Sequence, residues 1–181
     1  MRYDERMKEW LGRLKYRGDE RLHELFAAMM AGALERLLAE HGLRASRLAL
    51  ITYVPLSKAR LEERGFNQAE RIAQTLGRRF RVPVVSTLDR TRHTGKQSYK
   101  TRNQRLNDLT AAFAPSREFI GAISRPAEFR QASPAEPLNV LLVDDVYTTG
   151  ATADAATRTL IKAGAQSVDV LTFARVLPGD F

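Results

Sequence analysis

The 181-residue chain contains no cysteine, so it can form neither a disulfide nor a thiolate metal site. Its three histidines, His23, His41 and His93, are scattered and lack the spacing of metal ligands, so no zinc is expected. The longest uncharged runs, 25–34 and 48–57, have ten residues each, whereas a membrane-spanning helix needs about 20. The N-terminus carries acids at Asp4, Glu5 and Glu9 and lacks the apolar stretch of a signal peptide. We therefore expect a cytoplasmic protein without a membrane span.

The positive charge is concentrated in the middle of the chain. The formal net charge is +8, and residues 46–110 hold fourteen basic and five acidic residues. Residues 1–45 hold nine and eight, and residues 111–181 hold six and eight. A local surplus of this size indicates an anionic partner, either a polyphosphate substrate or a nucleic acid.

Hydrophobic periodicity predicts helices that alternate with strands after an N-terminal helical segment. Residues 1–45 predict two amphipathic helices that pack on the core, and residues 46–181 predict one α/β domain. Its alternating elements predict a mostly parallel, Rossmann-like sheet flanked by helices. We predict strands at 48–54, 82–85, 140–143 and 168–173, helices at 67–80 and 153–163, a basic loop at 89–105 and an irregular, proline-containing insertion at 114–137.

One stretch, 139–152, carries the clearest chemical pattern, NVLLVDDVYTTGAT. An apolar strand leads into Asp144 and Asp145, and a small, hydroxyl-rich loop then enters a helix. A helix N-terminus favours a phosphate, and Gly150 allows the backbone to approach it closely. The two carboxylates can accept hydrogen bonds from sugar hydroxyls or help to hold a hydrated Mg²⁺. The alternative is a solvated acidic turn with a threonine cap.

This string is similar to the phosphoribosyl pyrophosphate (PRPP) signature of the type I phosphoribosyltransferases, and the resemblance implies that fold. It also implies that Asp144 and Asp145 contact the ribose hydroxyls, directly or through Mg²⁺. The resemblance assigns the 5-phosphate to Thr148, Thr149, Gly150, Ala151 and Thr152.

A second string, RGFNQA at 64–69, follows Val-Pro and a short basic segment. It resembles an element of the ComF family, which includes the ComFC and GntX-like competence proteins. Two further stretches, LKYRGD at 14–19 and 97–113, also resemble that family, although either Asn103 or Asn107 can be the matching amide of the second one. By resemblance to the phosphoribosyltransferases, pyrophosphate would bind Pro55, Leu56, Ser57, Arg64 and Gly65.

The stretch 90–105 holds six cations and no acid. Resemblance to the phosphoribosyltransferases implies a lid that closes over the site and excludes water. The alternatives are a solvated charge run, or contact with single-stranded nucleic acid through the cations and Tyr99. The candidate lid residues are Gln97, Lys100, Arg102 and Arg105.

The resemblance implies transfer of a 5-phosphoribosyl group from PRPP to an unknown acceptor, with Mg²⁺ as cofactor, in a protein linked to DNA uptake. The catalytic candidates are Asp144, Asp145, Arg64 and Arg105. Many ComF proteins also carry a four-cysteine zinc module, which this chain lacks, and any role of that module is in doubt here. Two alternatives stay open: a PRPP-sensing module without activity, and a competence factor that binds single-stranded DNA. Competence-machinery proteins and a second copy of the chain are further partners compatible with the family.

Overall fold

The computed structural model describes residues 1–17, 19–40, 45, 48–91, 112–124 and 138–177. The chain begins with two helices, and strands mixed with further helices follow. The elements are α1 (Glu5–Arg17), α2 (Glu20–Glu40), β1 (Leu50–Tyr53), α3 (Lys58–Arg64), α4 (Gln68–Phe80), β2 (Leu88–Arg90), β3 (Phe113–Pro115), α5 (Arg117–Ser124), β4 (Asn139–Tyr147), α6 (Ala151–Lys162) and β5 (Ser167–Arg175).

A parallel sheet with the order β1-β4-β5 forms the centre of the molecule. The central strand β4 is buried on both faces, as its continuous apolar run predicts. Leu141 and Val143 pack toward α1, α2 and α4, whereas Val140 and Leu142 pack toward α5 and α6. The predicted α/β class, with a mostly parallel sheet flanked by helices, is therefore confirmed.

The two N-terminal helices pack in the same cluster as the sheet. Phe26 of α2 is fully buried and stacks on Phe173 of β5, with 4.8 Å between the ring centroids. Trp10 of α1 lies 6.3 Å from the Phe26 ring in a tilted arrangement. This aromatic contact fixes α1 against one face of the sheet. No helix in the described ranges is both long and apolar enough to cross a bilayer.

Several segments differ from their predictions. The predicted basic loop at 89–105 begins inside a strand, because β2 covers Leu88–Arg90 and pairs with β3. The first part of the predicted irregular insertion forms β3 and α5, and residues 125–137 lie outside the described part. Ser116 caps α5 by accepting a hydrogen bond from the Phe119 N–H at 3.0 Å, and the Phe119 ring is fully buried. Such a short helix has too few turns to show a clear helical period.

The predicted strand at 82–85 is reduced to one bridge between Val84 and Ile51. Ile51 N–H donates to the Pro83 carbonyl at 2.8 Å, and Val85 N–H donates to the Ile51 carbonyl at 3.0 Å. Proline has no N–H to donate, so it limits the pairing of this stretch.

Candidate functional site

A polar cavity of about 150 Å³ lies beyond the carboxyl ends of β1 and β4. This is where parallel α/β sheets bind their ligands. Asp144 and Asp145 form one wall. The other charged and polar side chains that line it include Lys15, Arg60, Arg64, Gln68, Arg90 and Thr152.

The acid pair lies within β4, which continues four residues beyond the predicted strand. Asp144 pairs with Thr172 of β5, and the ladder resumes at Val146. The Asp144 carboxylate accepts the Asp145 N–H at 2.8 Å, and the Asp145 carboxylate accepts the Val146 N–H at 2.7 Å. These bonds orient both carboxylates from the backbone of their own strand.

Asp145 also links β4 to two distant segments of the chain. Its Oδ2 accepts a hydrogen bond from Gln68 Nε2 of α4 at 3.0 Å and forms an ion pair with Lys15 Nζ of α1. The Lys15 and Asp145 side chains are only 20% and 17% exposed. The electrostatic interaction between them is therefore stronger than that of a solvated surface pair.

The two acids have opposite pKa shifts. Burial raises the pKa of Asp144 to about 7, and the neighbouring negative charge of Asp145 contributes to the rise. Burial acts on Asp145 in the same direction, but the charge and hydrogen bond of Lys15, with the hydrogen bonds from Gln68 and the Val146 N–H, lower its pKa overall. Asp145 is thus the carboxylate that stays ionised in the free protein near neutral pH.

The loop after β4 forms a tight entry into α6. Gly150 is the N-cap residue and adopts φ 77° and ψ −5°, a left-handed conformation that favours glycine. Thr149 Oγ1 accepts the Ala151 N–H at 3.4 Å. Thr152 reaches the cavity wall, whereas Thr148 and Thr149 are exposed. The structure therefore brings the start of α6 to the acid pair.

The segment after β1 contributes cations from α3, a helix that the sequence analysis did not predict. Ser57 is its N-cap and accepts the Arg60 N–H at 3.4 Å. Gly65 ends it with φ 73°, and its N–H donates to the Leu61 carbonyl at 2.8 Å. Of the predicted pyrophosphate residues, Leu56 and Arg64 line the cavity, whereas Ser57 and Gly65 shape the helix that carries the cations. The fifth, Pro55, accepts a hydrogen bond from Arg90 through its carbonyl at 3.4 Å.

The RGFNQA string divides into structural and site residues. Asn67 is buried and caps α4 by accepting the Ala69 N–H at 3.0 Å. Its side-chain amide also donates to the Val54 carbonyl at 3.0 Å, which ties α4 to the end of β1. Arg64 lies over the Tyr16 ring at 5.2 Å and within 3.5 Å of Gln68 Oε1.

Sequence reasoning missed four of the residues that line the cavity: Lys15, Arg60, Gln68 and Arg90. Two of them stand inside family-like strings, Lys15 in LKYRGD and Gln68 in RGFNQA, and that was the available signal. Arg90 is positioned by β2 and lies over the Phe113 ring of β3 at 5.5 Å. The candidate lid residues Gln97, Lys100, Arg102 and Arg105 lie outside the described residues, so their role stays a prediction.

The charges of the cavity lining are suited to an anionic ligand. Its lining holds four cations and two acids. Within the described ranges, no three His, Asp or Glu side chains are grouped as a metal cage. Mg²⁺ usually takes one or two carboxylates, with substrate oxygens and water as its remaining ligands. Asp144 and Asp145 fit that donor set, directly or through water.

Comparison with known proteins identifies relatives over most of the chain, although no family model matches it. Competence protein ComFC of Bacillus subtilis is 32% identical over 174 residues, 96% of this chain and 61% of that protein. ComFC of Streptococcus pneumoniae is 30% identical, over 96% of this chain and 64% of that protein.

The DNA utilization protein YhgH of Escherichia coli is 32% identical over 155 residues, 82% of this chain and 61% of that protein. The chain therefore spans less than two thirds of the length of these relatives. Over the region that they share with it, the chain belongs to the ComF family.

Proposed function

We propose that this chain has a type I phosphoribosyltransferase fold, binds PRPP in the cavity beside Asp144 and Asp145, and transfers its 5-phosphoribosyl group to an acceptor. One observation carries the proposal: a carboxylate pair at the end of the central strand faces cations, beside a glycine-capped helix N-terminus. PRPP combines a ribose with anionic groups at both ends. The cavity offers a matching group to each of these parts.

The ribose and its 5-phosphate occupy the β4–α6 side of the cavity in this proposal. The carboxylates accept hydrogen bonds from the ribose hydroxyls, and the 5-phosphate receives N–H groups at the start of α6. Any side chain at position 150 would meet Tyr147, because a Cβ built there lies 2.3 Å from the Tyr147 hydroxyl oxygen. The close approach of the backbone therefore depends on glycine.

The pyrophosphate lies on the α3 side, where Arg60 and Arg64 face the acid pair. In the reaction, the bond from ribose C1 to the pyrophosphate oxygen breaks, pyrophosphate leaves with the electron pair, and the acceptor forms the new bond to C1. The arginines stabilise the charge that grows on the leaving group. The carboxylates stabilise positive charge on the ribose in an oxocarbenium-like transition state. Bound Mg²⁺ would add charge neutralisation at the pyrophosphate.

Calorimetric titration of PRPP in the presence of Mg²⁺ tests the site. We expect wild type to bind and the Asp144→Asn/Asp145→Asn double variant to lose the binding. Asp169→Asn is the matched control, because Asp169 is an exposed carboxylate at the other end of the sheet. Absence of binding in wild type, or equal affinity in the double variant, would refute the assignment.

Release of pyrophosphate from PRPP in a screen of nucleophilic acceptors then tests the transfer. Release that needs both an acceptor and the acid pair supports an enzyme. Binding without release at any acceptor supports the PRPP-sensing alternative.

We also propose a role in DNA uptake, which is supported by the names of the ComFC and YhgH relatives. The positive surplus of residues 46–110 would allow contact with single-stranded DNA. Fluorescence anisotropy with a labelled oligonucleotide at several salt concentrations tests such contact. Competition by PRPP would show that both ligands use one surface. Binding so weak that its Kd lies above the millimolar range at low salt would contradict direct contact with DNA.

A further inference from the structure

Lys15 is presented to the acid pair by a helix that is fixed at both ends. Asp4 accepts the Met7 N–H at 2.8 Å at the start of α1, and Arg13 pairs with Asp19 at 2.6 Å near its end. The apolar face of α1 is buried against the core. The position of Lys15 is therefore set by packing of the whole helix.

Both oxygens of Asp145 are engaged in the free protein. Oδ1 accepts the Val146 N–H, and Oδ2 accepts Gln68 Nε2 and contacts the Lys15 ammonium. A divalent cation that binds this carboxylate needs access to one of the two oxygens. The Val146 N–H is held by the backbone of β4, and the Gln68 side chain is shorter than that of lysine, which has a long, flexible stem. Lys15 is thus the partner that can leave.

Charge gives Lys15 a second effect. Two adjacent carboxylates attract Mg²⁺ strongly, and an ammonium bound to one of them cancels part of that attraction. The three arginines on the cavity wall also offer positive charge to an anionic ligand. A Lys15 ammonium released from Asp145 would add a fourth positive charge for that ligand.

We propose that Lys15 is the internal counter-ion of the acid pair and competes with the metal for Asp145. This inference rests on the proposed PRPP site and deepens it. In the free protein the Lys15 ammonium is paired with the Asp145 carboxylate and keeps the metal affinity of the acid pair low. When PRPP arrives with Mg²⁺, the metal takes the carboxylate oxygen, and the Lys15 ammonium turns to the anionic ligand. Lys15 is a positioning residue in the first state and a ligand-contacting residue in the second.

The test uses Mn²⁺ as a metal probe at pH 8, with free Mn²⁺ followed by electron paramagnetic resonance and without PRPP. We expect Lys15→Met to bind Mn²⁺ roughly five- to fifty-fold more tightly than wild type, because a positive charge next to the carboxylates is removed. The same variant should bind PRPP with Mg²⁺ about ten-fold more weakly. Lys15→Arg should restore both properties in part.

Lys58→Met is the matched control, because it removes an exposed lysine that pairs with Glu62 on α3. It should leave both affinities unchanged. Circular dichroism checks the fold, and Lys15→Gln replaces the methionine variant if that one unfolds. Mn²⁺ affinity in the Lys15 variant equal to or weaker than that of the Lys58 variant would overturn the proposal.

The metal titration separates this inference from the proposed function. Tighter Mn²⁺ binding in Lys15→Met, combined with no PRPP binding in wild type, would uphold the counter-ion and refute the PRPP site. PRPP binding in wild type with unchanged Mn²⁺ affinity in Lys15→Met would uphold the PRPP site and refute the counter-ion. In the Asp145→Asn background, the effect of Lys15→Met on Mn²⁺ affinity should be smaller, because only the through-space effect of the Lys15 charge on Asp144 remains, and an undiminished effect would also overturn the proposal.

Discussion

The replacement of Gly150 by alanine tests how the β4–α6 loop is built. Two glycines of the candidate site adopt nearly the same left-handed backbone, Gly150 with φ 77° and Gly65 with φ 73°. A Cβ at Gly65 meets nothing within 4 Å, whereas a Cβ at Gly150 lies 2.3 Å from the hydroxyl oxygen and 2.6 Å from Cζ of Tyr147. The pair therefore separates backbone strain from steric overlap.

The two substitutions should cost different amounts of stability. Gly65→Ala pays only for the left-handed backbone, about 1–2 kcal/mol. Gly150→Ala has the same backbone strain and must also displace the Tyr147 ring, which lies 5.5 Å from the Arg175 guanidinium. Loss of such a cation–π contact and of the ring packing adds about 1 kcal/mol. We expect a total of about 2–3 kcal/mol for Gly150→Ala.

Urea unfolding followed by circular dichroism measures both free energies of unfolding. A double variant that adds Tyr147→Ala to Gly150→Ala should cost about 1 kcal/mol less than the sum of the single changes, because the overlap is gone. Equal losses for Gly65→Ala and Gly150→Ala would show that the Tyr147 ring moves aside without loss of stability, and the predicted effect of the steric overlap would then be wrong. Titration of ribose 5-phosphate should also show weaker binding to the Gly150 variant.

Three further changes test the charge and packing around the site. Asp144 has a pKa of about 7 in the folded state and an ordinary value of 3.8, so the folded protein binds the additional proton and the stability of wild type falls as pH rises between these values. Asp144→Asn should remove this fall, and its free energy of unfolding in urea titrations should exceed that of wild type by roughly 1–4 kcal/mol at pH 8. Parallel plots of the free energy of unfolding against pH for the two proteins would contradict the raised pKa of Asp144. Arg64→Ala should weaken pyrophosphate binding more than ribose 5-phosphate binding in calorimetry, with exposed Arg158→Ala as control, and equal losses for both ligands would argue against the α3 side as the pyrophosphate subsite. Phe26→Ala should lower the free energy of unfolding by about 3–5 kcal/mol, because the ring is fully buried against Phe173, and a loss below 1 kcal/mol would show that this stack does not hold the N-terminal helices.

Much of the fold followed from local pattern. The buried run of β4, the helices around it and the alternation of elements are each visible in a short window, because hydrophobic periodicity reflects the faces that an element buries. The helices that were not predicted are too short to show the pattern. α3 has seven residues, none of them buried, and α5 has eight, so neither shows a sustained period.

Residues adjacent in the sequence set the chemistry of one wall of the cavity. Asp144, Asp145 and Gly150 are neighbours in the chain, and a strand that turns into a helix brings them to one place whatever surrounds it. The conformation of Gly150 and the role of Asn67 as a cap are also local properties, because backbone geometry and nearby N–H groups decide them.

The residues of the opposite wall are brought together by long-range packing. Gln68 lies 77 positions before Asp145, and Lys15 is on a helix whose direction depends on the packing of Trp10 and Phe26. Nothing local fixes the distance between such groups, since it results from the burial of apolar faces far from the charges. The acids are thus encoded in one short string, and their cationic partners are brought to them by the assembly of the core.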